Sequence, residues 1–533
     1  MTTHTASPGV SPVRFHSGTL AMAAAALAVS APIAAVFAGA LGADSTGALA
    51  HLLSVNGLTY LRTSIILCAL AGAGAALIGA GAAMIVSLAE FPGRRLMTVL
   101  LALPFAIPAY VAAYAYGDLF GPFGALAGLV GMKALPEIRS VPGAAFVLAL
   151  MTYPYVYLAM TASLASRSGA LMEAARALGA SPMRAAFGVL FATARPAFAG
   201  GLALALMEIA ADYGVADYFG APTLSVGIFR TWHGLGDLAA AMQIAAALFL
   251  FILLFVLIEA ASRRGRAHED ARALRAGRRI RLSPLHASLA LAACAMPVAF
   301  GFIAPVGVLA AKLSTGVSPY AMAALSAASV NTASVAIAGA LICLILALAL
   351  AYGARGAKSA MAKLLLRAAT LGYAAPGAVM AIGVIALAAA MPKTSGLAAA
   401  GGIGVLLYAY VARFLTAGYN ASSAGLAQIS PQMDAAAKTL GAGSSRIISA
   451  VHLPLAWRAI AAGAAIVAID IAKELPATLI LRPFNFETLA TLVYRLASDE
   501  RLADAAAPAL ILIGLGLAPA LALTKVSASA MRD

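Results

Sequence analysis

Charge is scarce in this sequence. Asp, Glu, Lys and Arg make up 10% of its 533 residues and 63% are hydrophobic, whereas soluble domains carry about 25% charged and 45–50% apolar residues. That shortage excludes a water-soluble globular chain, whose surface would need more charge to cover it. Acid is the scarcer sign: 20 Asp and Glu against 35 Lys and Arg leave a formal charge of +15. In a soluble chain that balance would suggest nucleic acid. In one this apolar it fits cytoplasmic loops of a membrane protein, where basic residues accumulate. Cysteine is nearly absent. Cys68, Cys294 and Cys343 fall within apolar runs with no pairing or metal-ligand spacing, which leaves them as small core residues. No GxxxxGK[ST] phosphate loop, no HExxH and no nucleophile elbow occurs, so the chain is not equipped to hydrolyse ATP and shows no enzymatic site.

Long apolar runs are abundant. Twelve segments suit the roughly 20 residues a spanning helix needs: 18–41, 62–89, 96–117, 143–164, 198–216, 239–262, 285–311, 326–353, 364–391, 401–423, 459–480 and 505–527. Arg14 before the first run mimics a signal peptide, but the run is longer than the about 7–15 residues of such a core. It reads as an uncleaved first helix. An even count puts both termini on one side. Arg94, Arg95, Arg167, Arg176, Arg184, Arg355, Lys358, Lys363, Lys438 and Arg446 share one set of loops with the cluster "RRGRAHEDARALRAGRRIR", Arg263–Arg281. That set is the cytoplasmic one, and the termini lie with it. The expected organisation is a first half over 1–262, a basic cytoplasmic linker over 263–284 and a second half over 285–533.

The halves repeat. Gly179 and Gly441, Gly201 and Gly463, Glu208 and Asp470, and Asp212 and Glu474 all share an offset of 262, and "PAYVAA" at Pro108 resembles "PGAVMA" at Pro376. Duplicated halves with an even number of spans are parallel repeats, a pattern of transporters. Pro104, Pro108 and Pro376 lie inside expected helices and predict kinks in both halves.

Two charged stretches interrupt the apolar pattern at matching places: "EAARALGASPMRAAFGVLFATARP" (Glu173–Pro196) and "DAAAKTLGAGSSRIISAVHLP" (Asp434–Pro454). In the first, good helix formers end at Gly179, a C-terminal cap, and Ser181-Pro182 starts a second helix. In the second, Ser430-Pro431 opens a helix, Gly441 ends it and Ser444 or Ser445 restarts it. Each reads as a short cytoplasmic helix–turn–helix with small residues on one face. One reading is a docking knob for a partner, the other a capped loop lying on the membrane; two copies favour docking.

"EAA", a glycine beyond it and a later "LP" resemble the cytoplasmic loop of ABC-importer permeases, which forms the coupling helix seated in the ATPase. Glu173, Ala174, Ala175 and Gly179 match in loop 167–197, where Phe191-Ala192 replaces "LP". In loop 424–458 Gly441 and Leu453-Pro454 match, Asp434 sits one place early, and Ala435 and Ala436 follow it. Further, "LMEIAADYGVADYFGAPTLSVGIFRTWHGLGD" (Leu206–Asp237) and "AKELPATLILRPFNFETLATLVYRLASDERLADAA" (Ala472–Ala506) look like the fused permeases of ferric-iron importers, a group similar to thiamine, polyol and phosphonate permeases. The resemblance implies an all-α membrane fold of about twelve helices in two pseudo-symmetric halves, the type-I importer permease, in the inner membrane. It also implies two copies of a cytoplasmic ABC ATPase that uses ATP and magnesium, and a periplasmic or lipid-anchored substrate-binding protein. No cofactor bound by this chain and no nucleic acid are expected. An ion-coupled secondary transporter is the rival of another class, and the duplicated loops argue against it.

With ferric iron as the implied cargo, the buried acids gain interest. Counting the fifth helix from Gly201 and the eleventh from Gly463 places Glu208 and Asp470 about 10 Å in, and Asp212 and Glu474 about 16 Å in, at 1.5 Å per residue. Each pair is spaced i, i+4 on one face. They read as lining a path for a cation or as structural pairs, with Lys473 beside Glu474 as an internal counter-charge. Tyr110, Tyr114, Tyr116 and Tyr213 add oxygen donors suited to a hard cation. No firm metal site is expected. His233 and His452 read as interfacial.

Overall fold

The structure is a computed structural model that describes residues 16–42, 55–121, 124–130, 137–165, 175, 177–181, 184, 188, 191–263, 279–356, 359–391 and 402–529. They form an all-α membrane protein. The single β pairing among them is a two-residue parallel ladder, β1 (Ala89–Glu90) on β2 (Ile280–Arg281).

The chain runs through α1 (His16–Ala40), α2 (Val55–Leu88), α3 (Arg94–Leu100), α4 (Ala109–Leu119), the short α5 (Ala125–Val130), α6 (Val141–Ala165), α7 (Phe191–Ala211), α8 (Gly214–Tyr218), α9 (Leu224–Phe229) and α10 (Leu238–Arg263). The pattern then returns. After α11 (Pro284–Val298) and α12 (Ala304–Ser314) come α13 (Pro319–Gly356), α14 (Ala360–Ala369), α15 (Gly377–Ala390), α16 (Ile403–Ala427), α17 (Pro431–Thr439), α18 (Ser444–Ile447), α19 (Leu453–Lys473), α20 (Pro476–Leu481), α21 (Leu489–Ser498) and α22 (Leu502–Ser529).

Each expected apolar run, where described, falls on one helix or on consecutive helices, yet the count changes. Among the described residues nine helices are long and apolar enough to cross a membrane, or eleven when two bent pairs are each taken as one span. The run expected over 401–423 is α16, whose 25 residues include Arg413, Asn420, Ser422 and Ser423, and it falls outside that set. Length would carry it across; composition withholds it.

The two bent pairs are the proline sites. The chain turns by 92° between α3 and α4 and by 115° between α14 and α15. A short 3-10 turn, Leu103–Ala106 or Leu371–Ala374, precedes each bend. Proline disfavours a helical residue before it, and Ile107 and Ala375 are accordingly extended, with ψ of 124° and 119°. Pro108 and Pro376 then stand at the N-caps of α4 and α15. The expected kinks are complete breaks.

The repeat extends to polar ties. Thr223 caps α9, and the Leu224 N–H donates to Ser64 Oγ of α2 at 2.9 Å. Thr488 caps α21 with Thr491 closing a capping box, and the Leu489 N–H donates to Thr332 Oγ1 of α13 at 2.7 Å. Gly201 and Gly463, expected to begin helices, sit mid-helix instead. A Cβ on Gly201 would lie 2.8 Å from the Tyr155 carbonyl oxygen of α6, and one on Gly463 2.5 Å from Ala421 Cβ of α16. Both glycines mark close helix crossings, and α7 and α19 begin about ten residues earlier, at Phe191 and Leu453. The depths counted from the glycines are corrected accordingly.

Two compact units result. One comprises residues 1–35, 333–477 and 481–484, the other 36–332, 478–480 and 485–533. They do not coincide with the expected sequence halves. In the first unit Tyr408 of α16 donates to the Ala28 carbonyl of α1 at 2.7 Å, and Gly383 of α15 admits Pro32. In the second, a core around Tyr153, Val156, Tyr157 and Met160 of α6 packs on Ala75, Ala82 and Val86 of α2 and on Cys294 of α11. The linker expected over 263–284 falls mostly outside the described residues; its end forms β2, where Arg279 and Arg94 both approach Glu90.

Candidate functional site

Glu173 and Ala174 of the first loop lie outside the described residues. The part described ends its helix with a specific cap. The Ala180 N–H donates to the Ala175 carbonyl at 3.0 Å, Gly179 adopts φ +84°, and the Arg184 N–H donates to Ser181 Oγ at 3.3 Å. The second loop repeats the cap: the Ala442 N–H donates to the Ala437 carbonyl at 3.0 Å and Gly441 adopts φ +79°. This six-to-one bond around a left-handed glycine is the Schellman arrangement. At the cap of each copy stands a leucine in solvent, Leu178 at 89% and Leu440 at 87% exposure. A leucine held out by a fixed turn is an apolar knob without a socket.

Ala175 is buried, Ala435 is half-buried and Ala436 is exposed. Asp434 turns back toward its own chain. Its Oδ2 accepts from Arg355 at 3.2 Å and its Oδ1 meets His452 Nε2 at 2.7 Å. The expected restart of the helix is at Ser444, with Gly443 at the N-cap.

The acids at the far ends of α7 and α19 have a structural task the i, i+4 pattern hid. Each helix stops one residue before its second acid. Asp212 Oδ1 accepts from the N–H groups of Val215 and Ala216 at 2.9 and 3.3 Å, capping α8. Glu474 Oε1 accepts from Ala477 at 2.9 Å, inside α20, and from Arg413 at 2.8 Å, its side chain 1% exposed. Arg413 lies 61 residues away on α16. Glu208 is exposed, while Asp470 and Lys473 are half-buried.

The tyrosines converge. In the second unit Tyr110 and Tyr114 of α4 have ring centres 6.0 Å apart, and Tyr114 meets Tyr218 of α8 edge-on at 4.7 Å. Tyr213 stacks on Phe229 at 3.7 Å, and its hydroxyl lies 2.9 Å from that of Tyr494 on α21. Tyr494 donates to Asp217 Oδ2 at 2.8 Å, and Arg139 donates to the Tyr218 hydroxyl at 3.3 Å. The Tyr114 side chain is 1% exposed and its hydroxyl has no hydrogen-bond partner among the described residues. Tyr116 goes elsewhere, donating to the Phe300 carbonyl. The result is a cluster of phenol and carboxylate oxygens at the end of α7 remote from its loop. Asp217, Tyr218 and Tyr494 were not singled out from sequence. Tyr494 lies 281 residues from Tyr213, too far for any local pattern to pair them.

No group of three or more His, Cys, Asp or Glu side chains that could hold a metal ion exists among the described residues. His233 neighbours Phe229, and His452 is buried against its neighbours.

Residues 75–264 match the family described as "Binding-protein-dependent transport system inner membrane component". The chain is similar to the "Fe(3+)-transport system permease protein FbpB 2" of Haemophilus influenzae, 23% identical over 448 residues, 82% of this chain and 83% of that one. Shorter matches are to the "Probable sulfate transport system permease protein cysT" of Nephroselmis olivacea, 30% identical over 125 residues, and to the "Sulfate transport system permease protein CysW" of Escherichia coli, 36% over 92 residues. These shorter matches cover 24% and 17% of this chain, and 44% and 32% of the relatives' own length.

Proposed function

We propose that this chain, a multi-pass membrane protein whose residues 75–264 match the binding-protein-dependent permease family, is the permease subunit of an ATP-driven importer, and that ferric iron is its cargo. The observation that carries the first part is the repeated cap. Two loops 262 residues apart end a short helix on a left-handed glycine and hold Leu178 and Leu440 in solvent. Burying a leucine side chain is worth about 1.5–3 kcal/mol, and one knob per repeat suits two copies of one cytoplasmic partner. The chain has no phosphate loop of its own, so the partner is the ATPase and uses ATP with magnesium. Glu173, Ala174, Ala175 and Gly179, with Asp434, Ala435, Ala436 and Gly441, belong to the two docking loops. A substrate-binding protein delivers cargo at the opposite face, and both termini lie on the ATPase side of the inner membrane.

Ferric iron is supported by the length over which the Haemophilus permease is similar and by the oxygen character of the tyrosine cluster. Fe(III) is a hard cation that prefers oxygen donors. Tyr110, Tyr114, Tyr213, Tyr494 and Asp217 present such donors, and a conduit needs transient contacts rather than a tight cage. Glu208 belongs to the path in this reading, while Asp212 and Glu474 hold the helices that follow them. Sulfate is the second reading, favoured by the names of the locally more similar relatives.

The test is purification of the chain in nanodiscs from its native membrane. A co-purifying ATPase with a phosphate loop, lost in Leu178→Ser/Leu440→Ser, fits the proposal. A chain that transports on a proton gradient without any ATPase overturns it.

A further inference from the structure

Arg355 stands in the last turn of α13 and serves three acceptors. It donates to the Leu426 and Ile429 carbonyls, at 2.9 and 3.0 Å, and to Asp434 Oδ2 at 3.2 Å. The two carbonyls belong to the end of α16 and the turn after it, where helix carbonyls lack intrahelical partners. The other Asp434 oxygen is 2.7 Å from His452 Nε2. His452 is 5% exposed, just ahead of α19, and its ring lies 5.6 Å from that of Tyr352 at an angle of 17°. One carboxylate in the first turn of α17 thus joins the ends of α13 and α16 to the start of α19. The other end of α17 carries Leu440, exposed. At the positions 262 residues earlier stand Met172 and Leu190, which carry no charge.

We infer that Arg355, Asp434 and His452 form a joint that fixes the second loop rigidly to the membrane helices, making them positioning residues for the coupling movement. Asp434 is occupied within this chain rather than against the ATPase. A loop tied at its base moves as one body with α13, α16 and α19; released, its tip can shift without moving them. The coupling role rests on the importer proposed above, while the rigidity does not.

Two measurements separate these. In the full chain in nanodiscs, a nitroxide on Leu440→Cys reports tip mobility without any partner. Asp434→Ala should at least double the mobile fraction of its spectrum, and Arg355→Gln should do the same. An unchanged spectrum overturns the joint. In vesicles holding the chain, its ATPase and its binding protein, Arg355→Gln, which lies outside the docking loop, should keep the ATPase bound and hydrolysing within twofold of the parent. Transport per ATP should fall at least fivefold, with Arg355→Lys, which keeps the charge, in between. Release of the ATPase by Arg355→Gln, or unchanged transport per ATP, overturns the positioning role. If no ATPase associates with the parent chain, the importer reading and the positioning role fail together, and the spectrum alone decides the joint.

Discussion

Removing Arg413 should expose how much the bend after α19 depends on one buried ion pair. Glu474 has a side chain 1% exposed, Arg413 one 20% exposed, and the pair is 2.8 Å long. Gly377 lies directly behind it, and any Cβ there would run into both partners. Stripping one partner from a buried pair leaves an uncompensated charge and costs about 3–5 kcal/mol, whereas replacing both is often near neutral. The partial exposure of Arg413 lets some water reach the site, so we expect the low end, about 3 kcal/mol, for Arg413→Met. Glu474→Gln alone should cost less, because the amide oxygen still accepts from Ala477. The double variant should recover most of the loss, giving a coupling of about 2 kcal/mol or more between the sites. Unfolding of the full chain in mixed micelles, followed for the parent, both single variants and the double, reads this directly. Strictly additive losses, or a cost below about 1 kcal/mol for Arg413→Met, would refute the reasoning.

Other perturbations discriminate just as sharply. A Cβ on Gly441 meets no atom within 4 Å, so the cost of Gly441→Asp is set by the left-handed φ of +79°, about 1–2 kcal/mol; we predict normal membrane insertion and ATP hydrolysis uncoupled from uptake, and normal uptake would remove the docking role of the loop. Leu440→Ser should weaken ATPase retention during purification roughly tenfold, in line with about 1.5 kcal/mol of lost burial, and full retention would contradict the knob. Tyr494→Phe deletes the hydroxyl that meets both Tyr213 and Asp217; uptake should fall severalfold with ATPase binding intact, and unchanged uptake would place the cluster outside the path.

Local signals in the sequence translated well. Apolar runs located the helices, Pro108 and Pro376 marked the breaks, and Gly179 and Gly441 located the caps, because each depends on residues within one turn. The roles of Asp212 and Glu474 were hidden because the i, i+4 pattern assumes a continuing helix, while α7 and α19 stop one residue short of them. Their partners are set by the backbone turn and, for Glu474, by a guanidinium 61 positions away. The same holds for Tyr494 and Asp217, whose pairing needs α8 and α21 brought together from opposite repeats. Hydropathy likewise cannot show that residues 16–35 pack with the second repeat and 485–529 with the first. Gly201 and Gly463 illustrate a third limit: a glycine before a polar helix end looks like a start signal, and only the neighbouring helix reveals it as a crossing.

The most direct test of the central claim is uptake of radiolabelled ferric iron into vesicles holding this chain, its co-purifying ATPase and its binding protein, with sulfate and thiamine as competitors. The account predicts uptake that requires ATP hydrolysis and is unaffected by either competitor. ATP-driven uptake of sulfate or thiamine without iron would contradict the assigned cargo, and iron uptake that proceeds without the ATPase would contradict the importer itself.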